Sequence, residues 1–555
     1  MRDVRAAARA WAAQDPDAVT RGELETLLAA AEAGDAAAGA DLAGRFAGRL
    51  EFGTAGLRGE LGAGPMRMNR VLVAQAAAGL AAFLLAREEH PSIGIGFDGR
   101  HNSQRFATDT AELLAGAGVR AVLLPRLLPT PVLAFAVRHL GASAGVMVTA
   151  SHNPARDNGY KVYLGGADAG SQIVPPADAA IQRHILRVAA GSITELPRSA
   201  GWELAPESVI DEYVRATAAV AGAGVPRDAV RFAYTAMHGV GWETASRVLT
   251  AAGFAAPVVV TEQRDPDPDF PTVPFPNPEE PGAMDLAFAT AARAGVDLVV
   301  ANDPDADRLA IGVPAPDEAE GWRRLTGNEV GALLGWRAAR RAGAAPSRTL
   351  ACSIVSSPAL GAIARRYGMT HVETLTGFKW ISRTPDLAFG YEEALGYLVD
   401  PEVVRDKDGI SAAVAFLDLV AQLHAEGSSV ADALEQLAEE VGGWASAQIS
   451  VRVSELSDIP RMMERLRRDP PSEIAGVAVR RVDDFLEGVG DFPRSDVLRL
   501  VLHGDARVIV RPSGTEPKLK VYLDAGSSSG SGAERLAAAA AAVAALDAGM
   551  RDVLG

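Results

Sequence analysis

Three short apolar runs separated by helical stretches constrain what this chain can fold into more than any other feature. Ile93-Gly94-Ile95-Gly96-Phe97, Val119 to Leu124 and Gly145-Val146-Met147-Val148 each have the length of a buried strand, and the residues after the first read as a helix to about Ala115. Strands alternating with helices in this way build β-α-β units around a parallel sheet. Such sheets bind ligands at the carboxyl ends of their strands. The third run leads into Thr149-Ala150-Ser151-His152-Asn153-Pro154. Proline lacks an N–H and disfavours helix in the residue before it, so the strand stops and Ser151 sits on a tight turn. Further on, Asp157-Asn158-Gly159-Tyr160-Lys161 reads as an Asn-Gly turn that delivers the Lys161 ammonium toward an anion held at Ser151. A serine, a turn and a cation suggest phosphoryl chemistry. A serine-hydrolase reading is weaker, because Ser151 lacks the Gly-x-Ser-x-Gly elbow and its neighbour His152 is poorly placed to take its proton.

The alternation recurs twice. Val230 to Tyr234, a helix and Val258 to Val260 form a second unit, interrupted by the proline-rich surface loops around Asp265-Pro266-Asp267 and Phe275-Pro276-Asn277. It ends on the strand Asp297 to Ala301, which delivers Asp303-Pro304-Asp305-Ala306-Asp307-Arg308. Three carboxylates at alternate positions on a proline-stiffened loop repel one another and suit a hard cation such as Mg²⁺. An EF-hand is excluded: its sixth position would be Arg308 rather than Gly, and its twelfth Pro314 rather than Glu. The third unit begins with a helix near Thr326 and continues through the strand Thr349 to Ile354 to Gly377-Phe378-Lys379. It then reaches Gly390-Tyr391-Glu392-Glu393-Ala394-Leu395-Gly396, where paired carboxylates lie between glycines and suit sugar hydroxyls.

From about residue 446 the pattern changes to strands (Gln448 to Val453, Gly476 to Arg480, Leu498 to Leu502, Val508 to Val510) and a final long helix, a smaller α+β domain. Between its last two strands, Arg511-Pro512-Ser513-Gly514-Thr515-Glu516-Pro517-Lys518 offers a guanidinium, hydroxyls and open backbone N–H groups to an anion. Gly526 to Gly532 reads as flexible. At the other end, residues to about 50 read as two amphipathic helices, the second opened by a capping box of Thr20 and Glu23. In Glu51 to Gly59, glycines and Arg58 form a second candidate for close contact with an anion.

A formal charge of −16 argues against a nucleic-acid or anionic-membrane surface, and any anionic substrate needs local cations. The single Cys352 excludes an intrachain disulfide and suits a reducing compartment. Without a signal-peptide pattern or a long apolar span, the expectation is a soluble, cytoplasmic protein.

With these stretches in hand the sequence resembles the α-D-phosphohexomutase superfamily, the phosphoglucomutases and phosphomannomutases, across nearly its whole length. The phosphoserine loop looks like Thr149 to Pro154, the metal loop like Asp303 to Arg308, the sugar loop like Gly390 to Gly396, and the phosphate loop like Arg511 to Lys518, in the family's order. The resemblance implies an α/β architecture of four domains around a central cleft, three similar α/β domains with mixed sheets and a smaller α+β C-terminal domain, here 1–205, 206–325, 326–445 and 446–555. It implies a phosphoserine at Ser151, cationic help from Arg58 and Lys161, and Mg²⁺ on Asp303, Asp305, Asp307 and a phosphate oxygen on Ser151. Substrate contacts fall to His152, Arg308, Lys379, Glu392, Glu393, Arg511, Ser513, Gly514, Thr515 and Lys518. The implied reaction interconverts hexose 1- and 6-phosphates, of glucose or mannose, through a sugar bisphosphate, with glucose 1,6-bisphosphate or its cognate as activator. Ala394 stands where many members have Ser, and Glu-Glu-Ala is similar to a branch of phosphopentomutases and sugar-bisphosphate synthases. That branch is the alternative, ahead of a phosphosugar phosphatase or a noncatalytic sensor. Partners are a small phosphosugar, with neither nucleic acid nor membrane; monomer and homodimer both remain open.

Overall fold

Asp17 and Asp35, rather than Thr20, start the helices of the N-terminal segment. In the computed structural model, which describes all residues except 1, 54–55, 319–320, 344–346, 454, 456, 514–517 and 555, this segment holds three helices, Arg2–Gln14, Ala18–Glu32 and Ala36–Arg45. The two-helix expectation is corrected because an ionised carboxylate is a strong acceptor at the positive end of a helix. Asp17 accepts from Val19 N–H at 2.9 Å, and Asp35 accepts from Ala37 N–H at 2.8 Å. Thr20 lies inside the first turn and donates to Asp15 at 2.7 Å, while Glu23 accepts from the amide of Ala63 at 3.0 Å.

The chain divides into two compact units, Met1–Arg324 with Gly396–Ala415, and Leu325–Leu395 with Phe416–Gly555. The first contains two mixed sheets. In one, the strands run in the order Leu57–Glu60, Asp157–Leu164, Ala144–Val148, Ser92–Phe97, Arg120–Leu123 and Glu203–Leu204, with Ser171–Gln172 on the flank of Asp157–Leu164. Its centre is parallel, Ser92–Phe97 lying between Ala144–Val148 and Arg120–Leu123. Both of these neighbours are crossed to by helices, Ser103–Gly116 and Thr130–His139. The apolar strands are buried on both faces, which is why they read as continuous hydrophobic runs. The second sheet runs Trp322–Arg324, Ala310–Pro314, Leu298–Ala301, Phe232–Thr235, Val258–Val259. Its parallel pair Leu298–Ala301 and Phe232–Thr235 ends beside the aspartate loop.

Asn158-Gly159 does not form a turn. Asp157–Leu164 is a continuous strand, antiparallel to Ala144–Val148 on one side and to Leu57–Glu60 on the other. At Gly159 the three backbones approach so closely that a Cβ would stand 2.5 Å from the Thr149 carbonyl oxygen and 2.9 Å from that of Leu57. The glycine is there for space, and Asn158 is buried with its amide donating to His101 O at 2.8 Å.

In the second unit, Thr370–Thr374, Thr349–Ser353 and Leu387–Glu392 pair in parallel. The helix Gly327–Ala342 opens with a capping box of Thr326 and Glu329. The C-terminal sheet is antiparallel throughout, in the order Gly443–Arg452, Lys518–Ser527, Ala506–Pro512, Leu498–Leu502, Val477–Asp484, Glu473–Ile474. Pairing of Gly443–Arg452 along the whole of Lys518–Ser527 carries the strand into the Gly/Ser stretch expected to be flexible, and Gly532 already begins the final helix Gly532–Leu554. Among the described residues no helix is long and apolar enough to cross a membrane.

Candidate active site

Ser151 stands just past the end of Ala144–Val148, buried, with φ 52°. A left-handed non-glycine residue costs about 1–3 kcal/mol and persists only where its surroundings hold it. Here the Ser151 N–H donates to the Thr149 hydroxyl at 2.8 Å. The Ser151 hydroxyl donates to Asp303 Oδ2 at 2.9 Å and lies 3.2 Å from His152 Nδ1. Burial, then the charges of Arg308 and Arg58, push the His152 imidazole well below its usual range, so it is neutral near pH 7. Arg58, on Leu57–Glu60, donates to Asn153 Oδ1 at 3.0 Å.

The aspartates follow the strand Leu298–Ala301. Asn302 ties their loop closed, its amide donating to Arg308 O at 2.7 Å while its carbonyl accepts from Tyr234 OH at 2.9 Å. Asp303, Asp305 and Asp307 are all fully buried, and one carboxylate oxygen from each lies within 4.8 Å of the others. Lys161 donates to Asp305 at 2.7 Å and to Asp307 at 2.9 Å, and Lys407 Nζ is 3.4 Å from Asp307. Burial raises the Asp303 carboxyl well above the usual range, and the two neighbouring carboxylates add to it. Burial acts in the same direction on Asp307, yet Lys161, Lys407 and Arg308 outweigh it and hold Asp307 low. For Lys161, burial disfavours the charge, but Asp305 and Asp307 prevail and raise its pKa.

Asp305 Oδ1 and Asp307 Oδ1 are buried acceptors with no hydrogen-bond partner among the described residues. Uncompensated buried acceptors are costly. Three convergent carboxylates with unfilled lone pairs, all oxygen donors, fit a hard divalent cation.

The structure therefore gathers Ser151, His152, Arg58, Lys161, Asp303, Asp305, Asp307 and Arg308 in the first unit. The remaining expected residues lie in the second. Glu392 ends the strand Leu387–Glu392, and Glu393 accepts from the hydroxyls of Ser353 and Ser356 at 3.0 and 3.2 Å. Lys379 sits on the short helix Phe378–Ile381, its ammonium 5.9 Å from the Trp380 ring centre. Arg511 is on the strand Ala506–Pro512, and the Ser513 N–H donates to Lys518 O at 2.9 Å. Gly514 and Thr515 lie outside the described residues.

Three residues at the site escape the sequence reading. Thr130, opening the helix Thr130–His139, donates its hydroxyl to Asp305 Oδ2 at 2.6 Å and its N–H to Asp305 O at 2.9 Å. Lys407 balances Asp307. Arg100 grips the backbone of the serine loop. A signal existed for the last: Asp98-Gly99-Arg100 puts two opposite charges directly after a fully apolar strand.

Models of the four phosphoglucomutase/phosphomannomutase domains match in order, the α/β/α domains I, II and III at residues 49–191, 211–315 and 326–441 and the C-terminal domain at 449–543. The chain belongs to the phosphoglucomutase/phosphomannomutase family. It is 52% identical over 489 residues to a protein of Haemophilus influenzae named "Probable phosphomannomutase", covering 88% of this chain and 98% of that one. It is 34% identical to a phosphoglucomutase of Staphylococcus aureus, covering 86% and 90%, and 34% identical to the "Probable phosphoribomutase" of Schizosaccharomyces pombe, covering 92% of each. A solved phosphoglucomutase/phosphomannomutase family protein from Burkholderia thailandensis shares the fold, with a TM-score of 0.69 at 19% identity over 91% of this chain and 96% of that one. Enzymes of this family shift a phosphate within a sugar.

Proposed function

We propose that this family member interconverts hexose 1-phosphate and hexose 6-phosphate, of glucose or mannose, with Ser151 as the phosphoryl carrier. The observation that carries the reading is the 2.9 Å hydrogen bond from the Ser151 hydroxyl to Asp303, at the edge of three buried aspartates. In the forward half, the bond from phosphorus to Ser151 oxygen breaks, a bond to the free sugar hydroxyl oxygen forms and that hydroxyl's proton ends on the Ser151 oxygen, giving a sugar bisphosphate. In the reverse half, the bond from the other phosphorus to its sugar oxygen breaks, a bond to the Ser151 oxygen forms and the Ser151 hydroxyl proton ends on the released sugar oxygen. The hydroxyl proton of Ser151 then has Asp303 and His152 Nδ1 within reach. Mg²⁺ held by Asp303, Asp305 and Asp307 would neutralise charge building on the phosphoryl oxygens. Phosphoryl transfer has a loose transition state, so alignment and fixed positive charge supply most of the catalysis. Arg58, Lys161 and Arg308 are the cations for that work. Glu392 and Glu393, with Lys379, suit the sugar hydroxyls. Arg511, Ser513 and Lys518, with Gly514 and Thr515, suit the phosphate that stays in place, and a sugar bisphosphate is the expected activator.

Identity of 52% to a phosphomannomutase-named relative favours a hexose over a pentose. Ala394 after the glutamates, and a phosphoribomutase-named relative matching 92% of the chain, make ribose the alternative to include. The test is isomerisation of glucose 1-phosphate, mannose 1-phosphate and ribose 1-phosphate with Mg²⁺ and a trace of glucose 1,6-bisphosphate, beside Ser151→Ala. Turnover of a hexose by the native chain alone supports the proposal. Preference for ribose selects the pentose reading, and release of free phosphate alone selects a phosphatase.

A further inference from the structure

One guanidinium holds the serine loop from beneath. Arg100 Nη2 donates to the carbonyls of Ser151 and Asn153, both at 2.6 Å, and Nη1 donates to those of Pro154 and Asp157, at 2.8 and 3.2 Å. The side chain is 1% exposed, so these donors are turned wholly to backbone. Phe270 packs against the guanidinium, its ring centre 4.9 Å away, and Asp98 Oδ2 lies 3.5 Å from Nε. Asp98 also accepts from the Ser103 hydroxyl at 2.6 Å and from the Arg100 N–H at 3.0 Å. The Thr149 hydroxyl, at the start of the loop, takes the Ser151 N–H at 2.8 Å. Asp98 thus steadies the loop through Arg100, whose N–H and guanidinium both face it.

We infer that Arg100 is the positioning residue that keeps Ser151 in its left-handed conformation with the hydroxyl aimed at Asp303. The inference rests on the mutase reading of Ser151 and adds a part that reading does not need. The planar fork of arginine spans four carbonyls from two nitrogens, whereas the three protons of a lysine ammonium radiate from one point. With the carbonyls released, serine reverts to the φ < 0 regions it ordinarily occupies, and its hydroxyl leaves Asp303. Arg100 acts through the loop and not on the substrate, so its loss falls on kcat rather than KM.

The experiment compares the native full chain with Arg100→Lys and Asp98→Asn. It reads kcat and KM for the preferred hexose 1-phosphate, thermal unfolding, and amide hydrogen exchange across residues 149–157. Arg100→Lys is expected to lose about 100-fold in kcat, the scale of a misplacement near 1 Å, with KM little changed and faster exchange confined to that loop. Asp98→Asn is expected to fall between the two. Native kcat in Arg100→Lys overturns the inference. So does a raised KM at native kcat, which would make Arg100 a substrate contact, and so does faster exchange spread over the whole chain. If Arg100→Lys does not fold, Asp98→Asn decides, and native kcat with native loop exchange there overturns the inference. A native chain inactive on every sugar sinks the mutase reading instead, and loop exchange still judges the grip of Arg100.

Discussion

Gly159→Ala links strand packing directly to the serine. An added Cβ would stand 2.5 Å from the Thr149 carbonyl, inside the 3.0 Å that real Cβ atoms respect, so the two strands must part by at least about 0.5 Å at that point. The strand cannot retreat the other way, because the Leu57 carbonyl is 2.9 Å from the same Cβ. Overpacking of this kind costs about 1–3 kcal/mol. The displacement does not stop at Thr149: its N–H donates to Gly159 O at 3.2 Å and its hydroxyl holds the Ser151 N–H. Moving the nucleophile by a sizeable fraction of an ångström lowers kcat by tens of fold, toward the ~100-fold expected for 1 Å. Steady-state isomerisation and urea unfolding on the same preparation read both effects. A variant that is destabilised yet keeps native kcat would refute the coupling between this strand contact and the serine, and one unchanged in both would refute the packing argument itself.

Asp109 is buried and accepts from Arg70 at 2.7 and 2.9 Å and from Arg198 at 2.8 Å. Burial works against its ionisation, but the arginines prevail and hold its carboxyl below the usual range. A depressed acid contributes stability above its unfolded pKa of ~3.9 and loses it as pH falls through the folded value. Asp109→Asn should therefore cost about 3 kcal/mol at pH 7, the lower end for a broken buried pair because both arginines keep access to water. In urea titrations the gap to the native chain should close as pH falls below about 4; a gap independent of pH would refute the pairing. Thr130→Val removes the hydroxyl that orients Asp305. The Mg²⁺ concentration for half-maximal turnover should rise 10- to 100-fold, as loss of such partners usually requires, and an unchanged Mg²⁺ curve would exclude that role.

What could be read from the sequence follows from where the physics is local. Ile93 to Phe97 and Leu498 to Leu502 are legible because strands in sheet interiors concentrate apolar residues. Asp303, Asp305 and Asp307 are legible because alternate carboxylates on one loop have few purposes other than a cation. Asn158-Gly159 misleads, since the glycine answers to the Thr149 and Leu57 backbones, which only the folded sheet brings near. Thr20 misleads for a smaller reason: a capping-box spacing says nothing of the stronger acceptor at Asp17. Thr130 and Lys407 are silent because their partners lie far along the chain, while Arg100 shows only as a charge pair after a strand, because the backbone carbonyls it holds leave no side-chain pattern.

Whether Ser151 carries the phosphoryl group is read from intact-mass and peptide mapping of the native chain after incubation with glucose 1,6-bisphosphate and Mg²⁺. One phosphoryl group is expected, on the peptide containing Ser151, absent from Ser151→Ala and discharged when hexose 1-phosphate is added. A chain that isomerises hexose phosphates with no phosphoryl group on Ser151, or with one on another residue, would contradict Ser151 as the carrier.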